Sequence, residues 1–473
     1  MPDVSGRRPD SPLDLSAPRQ VHVVNVGGAG MSAVATLLAE MGHAVSGHDV
    51  ADTPFVAPLL ALGVQVTVGP DRPPLPETTD VVVTSTATPE DDRDVTVARA
   101  RGLPVVHRSV ALGAICARRQ TVAVAGTHGK TTTSALLATI LDGAGRSPGW
   151  VVGAPIAGLG RSAAWGGDGP LVVEADESDG TFLALGAHAA IVTNVEPDHL
   201  EHWGSVDGLH GAFRRFVSAL DGPAVLCGDD PGSAVLAAVA AEPVTYGQAP
   251  GTDYRVTAVE PWGTGVRFRL DHRDETVEVT LPAAPGAHNA ANATGALALA
   301  HRLGVSLADG AKVLSGFAGV ARRFEPRGEA VGVTLIDSYD HLPTEVRAVL
   351  AAARAGVDDG RWQRIVCCYQ PHRYSRTAAL WRDFADAFVD ADLLAITDVY
   401  PAGEASQPGV TGKLLVDAVL EAHPWAHVAY LPQLDDVLVW LRTVLRPGDL
   451  CLTLGAGDLT TLPPRILAML ESR

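Results

Sequence analysis

The sequence predicts an α/β protein built as three successive units, each on an open, largely parallel sheet. The chain has 473 residues, enough for roughly two to four domains with their own cores. Short apolar runs alternate with helical patterns along it, as in repeated βα units. Glycine-rich and polar clusters follow directly on the apolar runs, at the C-terminal ends of the expected strands, where parallel sheets bind ligands. The expected boundaries are a disordered, proline-rich tail over residues 1–19, then units at 20–118, 119–321 and 322–473.

The first unit opens with a buried-type strand, Val21 to Val26, followed by Gly27-Gly28-Ala29-Gly30-Met31-Ser32 and a helical stretch to Met41. A second strand, Ala44 to Gly47, runs into His48-Asp49. This is the opening of a nucleotide-binding βαβ unit. Gly28, Gly30, Met31 and Ser32 form its loop, and Asp49 falls where a ribose or base is read. The pattern ends in Ala33 rather than a third glycine, so it fits an NAD site or a nucleotide-diphosphate-sugar site. A further strand, Asp80 to Thr86, ends in the hydroxyl cluster Thr84-Ser85-Thr86 at the ligand edge.

The second unit carries the most informative stretch, Gly126-Thr127-His128-Gly129-Lys130-Thr131-Thr132-Thr133, straight after the strand Thr121 to Ala125 and before a helical pattern from Ser134 to Leu141. Gly126 and Gly129 let backbone N–H groups turn toward an anion, and the helix N-terminus adds its positive dipole end. Lys130 is one of three lysines in the chain, with Lys312 and Lys413, so a compact ammonium stands here in an otherwise arginine-rich protein. It suits the β and γ phosphates of a nucleotide, and Thr131 suits Mg²⁺. Val124 replaces the first glycine of the longer phosphate-loop pattern, leaving the shorter G-x-x-G-K-T-T. Two acidic clusters follow apolar runs: Glu174 to Asp179 after Leu171–Val173, and Asn194 to His199 after Ala189–Thr193. Both belong at the sheet edge that carries the phosphate loop, where carboxylates suit Mg²⁺ and a histidine can join a second site. Residues 252–281 read as a small antiparallel addition of three strands. Asn289 and Asn292 share a helical face, fitting either an adenine edge or helix-start chemistry.

The third unit has strands Val331–Ile336, Arg364–Tyr369, Leu393–Thr397 and Leu450–Leu454, each ending in polar residues. Arg373 and Arg376, three apart at a helix start, suit a carboxylate or phosphate, or lie on the surface. The formal net charge of −18 argues against nonspecific nucleic-acid binding, and no apolar run reaches membrane-spanning length. Cys116, Cys227, Cys367, Cys368 and Cys451 lack metal spacing and read as reduced thiols of a cytoplasmic protein.

Taken in order, these motifs resemble the ATP-dependent Mur ligase family, from about residue 20 to the C-terminus. The residues that carry the resemblance are Gly27 to Ser32, Gly126 to Thr133, Glu174 to Asp179, Thr193-Asn194 with Asp198-His199, His288-Asn289 with Asn292, Arg322-Arg323-Phe324, Gln370 to Arg376, and Asp398 to Glu404. The resemblance implies a Rossmann-like UDP-binding domain, a central P-loop-type ATPase domain and a C-terminal Rossmann-like domain that receives the amino acid. It favours UDP over NAD in the first unit. The implied reaction joins L-alanine to UDP-N-acetylmuramate through an acyl-phosphate, using ATP and Mg²⁺, in a monomer or homodimer. Thr131 and Glu174 would hold one Mg²⁺ and His199 would sit by a second. Asn289 and Asn292 would face adenine, and Arg323 and Asp337 would reach the nucleotide. Tyr339, His341, Arg373 and Arg376 would lie near the acyl and amino-acid end. Many relatives carbamylate a lysine after the Asp-His pair. No lysine stands between Lys130 and Lys312, so no carbamate is expected, in keeping with the alanine-adding branch.

One motif departs. The family's usual Asp-Asp-Tyr-(Gly/Ala)-His-His-Pro is here Asp337-Ser338-Tyr339-Asp340-His341-Leu342-Pro343. A carboxylate is lost at Ser338, one is gained at Asp340, and an imidazole becomes Leu342. Either the loop has drifted, or the chain is a paralogue that uses another amine or a peptide as acceptor.

Overall fold

The computed structural model describes residues 13–472, so the first twelve residues of the expected tail lie outside the described part. The rest of that segment is not wholly loose: Leu15 is buried and Leu13 packs against the same core.

The first sheet has five strands in the order Gln65–Val68, Ala44–Asp49, Gln20–Val24, Val81–Thr84, Val105–His107, all parallel. Its opening strand stops two residues earlier than expected, because Asn25 turns into the left-handed region with φ 54°. The helix Ala29–Glu40 then starts on Gly28 and buries Met31, Val34, Ala35, Leu37 and Leu38.

The central sheet has ten strands. Thr121–Ala125 lies between Leu171–Glu174 and Ala189–Val192 and pairs with both in parallel. Gly149–Ile156 and Arg161–Ala164 extend one side, while Pro223–Cys227 and Glu242–Gly247 extend the other. The strands of the expected addition, Tyr254–Trp262, Gly265–His272 and Glu275–Leu281, are joined to this sheet. They continue this sheet beyond Glu242–Gly247, through the parallel pairs Tyr246–Tyr254 and Gly247–Arg255, and so satisfy an otherwise open row of backbone groups. The helix expected from Ser134 begins four residues earlier, at Lys130, and runs to Gly143. Gly129, in the left-handed region with φ 79°, makes the abrupt entry that lets Lys130 be its first residue.

The C-terminal sheet has six strands in the order Glu325–Ala330, Val333–Ser338, Asp449–Leu454, Arg364–Tyr369, Leu393–Ile396, Val428–Tyr430. Only the first pair is antiparallel. The strand expected from Val331 instead begins at Val333, because Val331 (φ 52°) and Gly332 (φ 74°) form a two-residue hairpin turn. The partner strand Glu325–Ala330 escapes a sequence reading because Pro326 and Gly328 make it look like a loop. Both faces of this sheet are covered. Ile365, Cys367 and Tyr369 pack with Val346 and Leu350 of the helix Pro343–Asp358. Val366, Cys368 and Cys451 pack on the opposite face with Leu441 and Ile466, from helices Leu434–Val444 and Leu462–Glu471. All five cysteines are buried and unpaired with one another. Among the described residues no helix is long and apolar enough to cross a membrane.

Leu136, fully buried on the helix Lys130–Gly143, is expected to contribute heavily to stability. Leu136→Ala should cost about 2–5 kcal/mol, read as a lower midpoint in thermal or urea denaturation.

Candidate functional site

The loop after Thr121–Ala125 is shaped by close approach. Gly126 has φ 136°, and a Cβ there would fall 2.0 Å from Thr193 Oγ1. A Cβ on Gly129 would fall 2.9 Å from Asn292 Oδ1. Thr193 Oγ1 donates to the His128 carbonyl at 2.7 Å, and Asn194 Oδ1 accepts the His128 N–H at 2.9 Å. Thr127 Oγ1 donates to the Glu196 carbonyl at 3.1 Å and accepts its N–H at 2.8 Å. The segment after Ala189–Val192 therefore clamps the loop from outside, and two glycines leave no side chain in the hollow.

Lys130 reaches back over that hollow. Its Nζ donates to the carbonyls of Gly126 (2.6 Å) and Thr127 (3.0 Å) and pairs with Glu177 Oε2 at 2.8 Å. Burial works to lower the Lys130 pKa, but the charges of Glu177, Asp176 and Glu174 outweigh it, so the ammonium is held above its usual value. Burial pushes the Glu177 carboxyl up to about 7 despite Lys130, with Asp176 adding to the rise. Thr131, Thr132 and Thr133 are buried in the first turn of the helix. Thr131 Oγ1 donates to Glu174 Oε1 at 2.9 Å, so the expected hydroxyl–carboxylate pair is assembled. His199 is grouped instead with Asp198 (3.3 Å) and Glu201 (3.5 Å), on a left-handed backbone with φ 52°. Among the described residues no three His, Cys, Asp or Glu side chains converge as a metal cage. Mg²⁺ commonly keeps waters and phosphate oxygens as ligands, so a pair such as Thr131 and Glu174 still fits it.

A cavity of about 320 Å³ connects the first sheet to this loop. Gly30, Arg108, Lys130, Gly153, Glu174 and Asp176 are among the residues lining it. Arg108 was not singled out from the sequence. It begins the helix after the strand Val105–His107, whose end lies beside Thr84, so it stands at the same ligand edge. Its Nη2 bonds Asp179 at 2.6 Å and Asp176 at 3.3 Å. A Cβ on Gly30 would fall 2.7 Å from its Nη1, so any larger residue there would displace the guanidinium from its present place. An arginine opening a helix at a strand's C-terminal end was the available signal.

The other expected residues of the first sheet are mostly engaged within it. Asp49 Oδ2 accepts the Gly27 N–H at 2.9 Å and so shapes the glycine loop from behind. Gly28 is the helix N-cap, Met31 is buried, and Ser32 Oγ donates to the Ala29 carbonyl at 2.9 Å. Thr84 Oγ1 donates to the Val106 carbonyl at 3.3 Å, and the Ser85 N–H donates to Thr88 Oγ1 at 3.1 Å.

At the C-terminal sheet, the parallel register brings Ser338, Tyr369 and Leu454 to one level. Asp337 is buried and accepts from Thr453 Oγ1 (2.6 Å) and Thr460 Oγ1 (2.7 Å). Arg322 and Arg323 both lie over the Tyr339 ring, at 4.8 and 5.1 Å from its centroid. His341 packs edge-on against Tyr339 at 5.4 Å and lies 5.8 Å from His372, which stacks on Tyr400. Arg376 is buried and its Nη1 donates to His372 Nδ1 at 3.2 Å. Burial, with His341 and three arginines around it, drives the His372 pKa down to about 3, so its ring is neutral and can accept that bond. Arg373 starts the helix Tyr374–Leu380 with φ 68°. Asn289, inside the first turn of the helix Ala287–Arg302, donates its Nδ2 to the Pro285 carbonyl at 2.7 Å, which ties the helix start to the preceding loop.

Gly126→Ala forces a Cβ onto Thr193, and is expected to weaken nucleotide binding by at least about tenfold in calorimetric titration while the fold is retained. Glu177 gives a pH signature. Its carboxyl is raised from 4.5 to about 7, so between these values the folded chain holds a proton that the unfolded chain has released. Its contribution to stability is present at low pH and is lost as pH rises through that window. Glu177→Gln should remove this slope in urea denaturation followed against pH.

Comparison with known proteins agrees with this geometry. Residues 20–120 match the Mur ligase family catalytic domain, 171–300 the Mur ligase middle domain, and 322–457 the domain described as Mur ligase, glutamate ligase domain. A UDP-N-acetylmuramate–L-alanine ligase of Anaeromyxobacter sp. (strain Fw109-5) is 42% identical over 97% of this chain and 100% of its own length. The protein of the same name from Thermobifida fusca is 41% identical over 98% and 99%. The crystal structure of the UDP-N-acetylmuramate-alanine ligase of Thermotoga maritima superposes with a TM-score of 0.79 at 27% identity, covering 96% of this chain and 99% of that one. A murein peptide ligase of Psychrobacter arcticus shares the fold, with a TM-score of 0.69 at 23% identity over 96% and 99%. With three domain patterns in order and identity of this level over nearly the whole length, the chain belongs to the Mur ligase family.

Proposed function

We propose that this chain is an ATP-dependent ligase that joins L-alanine to the lactyl carboxylate of UDP-N-acetylmuramate, in peptidoglycan precursor synthesis. One observation carries the reading. The cavity lined by Gly30 of the first glycine loop is lined also by Lys130 and Glu174, so a nucleotide-sugar bound at the first loop can present its far end to the phosphate loop. The names of the nearly full-length relatives support the same substrates.

The first step forms a bond from the substrate carboxylate oxygen to the γ-phosphorus of ATP and breaks the bond to ADP. In the second, the L-alanine nitrogen attacks the acyl carbon, phosphate leaves and the nitrogen loses a proton. Gly126, Gly129 and Thr132 would frame the phosphates with backbone N–H groups, and Thr127, whose N–H donates to the Asn194 carbonyl at 3.1 Å, would hold the loop in shape around them. Lys130 would exchange its bonds to the Gly126 and Thr127 carbonyls for phosphate oxygens, placing its charge where negative charge moves in the transition state. Thr131 and Glu174 would hold Mg²⁺, with His199 at a second ion. Mg²⁺ would supply charge neutralisation between phosphate oxygens and the carboxylate.

Gly28, Gly30, Met31, Ser32, Thr84 and Ser85 would bind the UDP-sugar, with Asp49 setting the loop's shape. Asn289 and Asn292 would read adenine, and Arg323 and Asp337 would reach the nucleotide. Tyr339, His341, Arg373 and Arg376 would receive the amino acid. Arg108 would turn from Asp176 and Asp179 toward the incoming anion. The acidic balance of −18 fits a cytoplasmic enzyme of small molecules, monomeric or dimeric, rather than a nucleic-acid or membrane binder.

The test is phosphate release with ATP, Mg²⁺ and UDP-N-acetylmuramate, scanned over amino acids, with product masses. Release should require L-alanine and yield the alanyl adduct. Release that requires a different amine or a peptide would overturn the substrate assignment. Lys130→Ala should lower turnover by about 10²–10³-fold with the fold retained in circular dichroism.

A further inference from the structure

The altered loop 337–343 raises a question that the family leaves open: whether Asp340 faces the incoming amine. Its surroundings answer it. Asp340 is buried and Ser338 is almost wholly so. Asp340 Oδ2 accepts a hydrogen bond from Ser338 Oγ. The same Ser338 Oγ accepts the backbone N–H of Phe324 at 2.9 Å. The chain thus runs from the Phe324 amide through the Ser338 hydroxyl to the Asp340 carboxylate, and the hydroxyl's one proton fixes its direction.

This relay holds a segment that needs holding. Arg322 and Phe324 are both left-handed, with φ 58° and 50°, in residue types that disfavour that region. Phe324 is anchored in the core, and Tyr339 N–H donates to the Arg322 carbonyl at 2.8 Å. The two strands of contact leave Tyr339 beneath both guanidiniums. Charged groups acting on Asp340 are Arg323, which favours its ionised form, and Glu345, which opposes it. Glu345 is itself engaged, accepting the N–H groups of His341 (2.9 Å) and Leu342 (3.0 Å). Leu342 is buried at the start of the helix Pro343–Asp358, with no polar atom to offer an acceptor.

We propose that Ser338 and Asp340 form one buried hydroxyl–carboxylate relay that positions the Arg322–Phe324 segment, and that Asp340 does not contact the amine, so the acceptor remains a neutral amino acid. The inference rests on the ligase reading above. It makes Asp340 a positioning residue for Arg323 and Tyr339. It also explains the exchange as compensated: an aspartate at 338 would itself offer an acceptor to the Phe324 N–H, and a carboxylate at 340 would then stand against it. Two carboxylates within hydrogen-bonding distance in a buried site cannot both stay ionised.

The test is a double-mutant cycle in the full chain, read as phosphate release with UDP-N-acetylmuramate and either L-alanine, L-lysine or L-arginine. Ser338→Asp alone should lower kcat/KM for ATP by about tenfold or more, since it sets two buried carboxylates against each other. Asp340→Ala alone should lower it severalfold. Ser338→Asp with Asp340→Ala should recover most of the loss, and L-alanine should stay preferred over the basic amino acids in every variant. Asp340→Asn, which keeps shape and an acceptor oxygen for the Ser338 hydroxyl, should restore most of the kcat/KM for ATP lost in Asp340→Ala while KM for L-alanine stays unchanged. Losses that simply multiply in the double variant would overturn the relay. So would a wild-type preference for L-lysine or L-arginine that disappears in Asp340→Asn. If the wild type releases no phosphate with any amino acid, the ligase reading fails separately, and the cycle is read in thermal midpoints. Non-additive midpoints then uphold the relay and additive ones reject it.

Discussion

The parallel pairing of Thr121–Ala125 with Leu171–Glu174 on one side and Ala189–Val192 on the other is the constraint on which the site depends. Three strands that run the same way must end at the same edge. Lys130, Glu174 and the Asn194–His199 segment, scattered over some seventy positions of sequence, are therefore delivered to one place without any of them having to seek the others. Had any of these strands run antiparallel, its acidic cluster would stand at the far edge of the sheet.

Within that frame, charge does the local work. Lys130 lies among loop carbonyls and beside Glu177, so its ammonium is kept protonated although it is largely enclosed. The partners that hold it are themselves of the kind that phosphate oxygens can replace. A lysine parked on carbonyls is ready to move to an anion at small cost, because one set of oxygens substitutes for another. Arg108 shows the same arrangement on the neighbouring wall of the cavity, with Asp176 and Asp179 as its resting partners. The site thus stores its cations on internal acceptors.

The C-terminal unit uses a different device. Its candidate ligand edge is a packed set of rings and guanidiniums around Tyr339, His341, His372 and Arg376, carried on a sheet covered on both faces. Arg322, Phe324 and Arg373, all with positive φ, place backbone strain close to this edge, among other left-handed residues elsewhere in the fold. The buried Ser338–Asp340 contact is one of the ties that keep that strain in place.

Most of the framework was legible in the sequence. The α/β class, the strands at Thr121 and Arg364 to the residue, and the loop Gly126–Thr133 follow from local chemistry: β-branched runs, glycines at turns, and a lysine among hydroxyls. Elements that break local rules were not legible. The strand Glu325–Ala330 carries a proline and a glycine, and only its pairing with Val333–Ser338 makes it a strand. The strands after Tyr254 gave no sign that they would prolong the central sheet. Nor could sequence tell what each site residue touches. Asp49, in the position of a ribose reader, holds the glycine loop, and Asp340, seemingly offered to a ligand, is turned inward onto Ser338. Residue type and spacing determine which chemistry is available and at which edge of a sheet it emerges. Where a side chain points is decided by contacts between segments distant in sequence, because only these set burial and partner, and with them charge and direction.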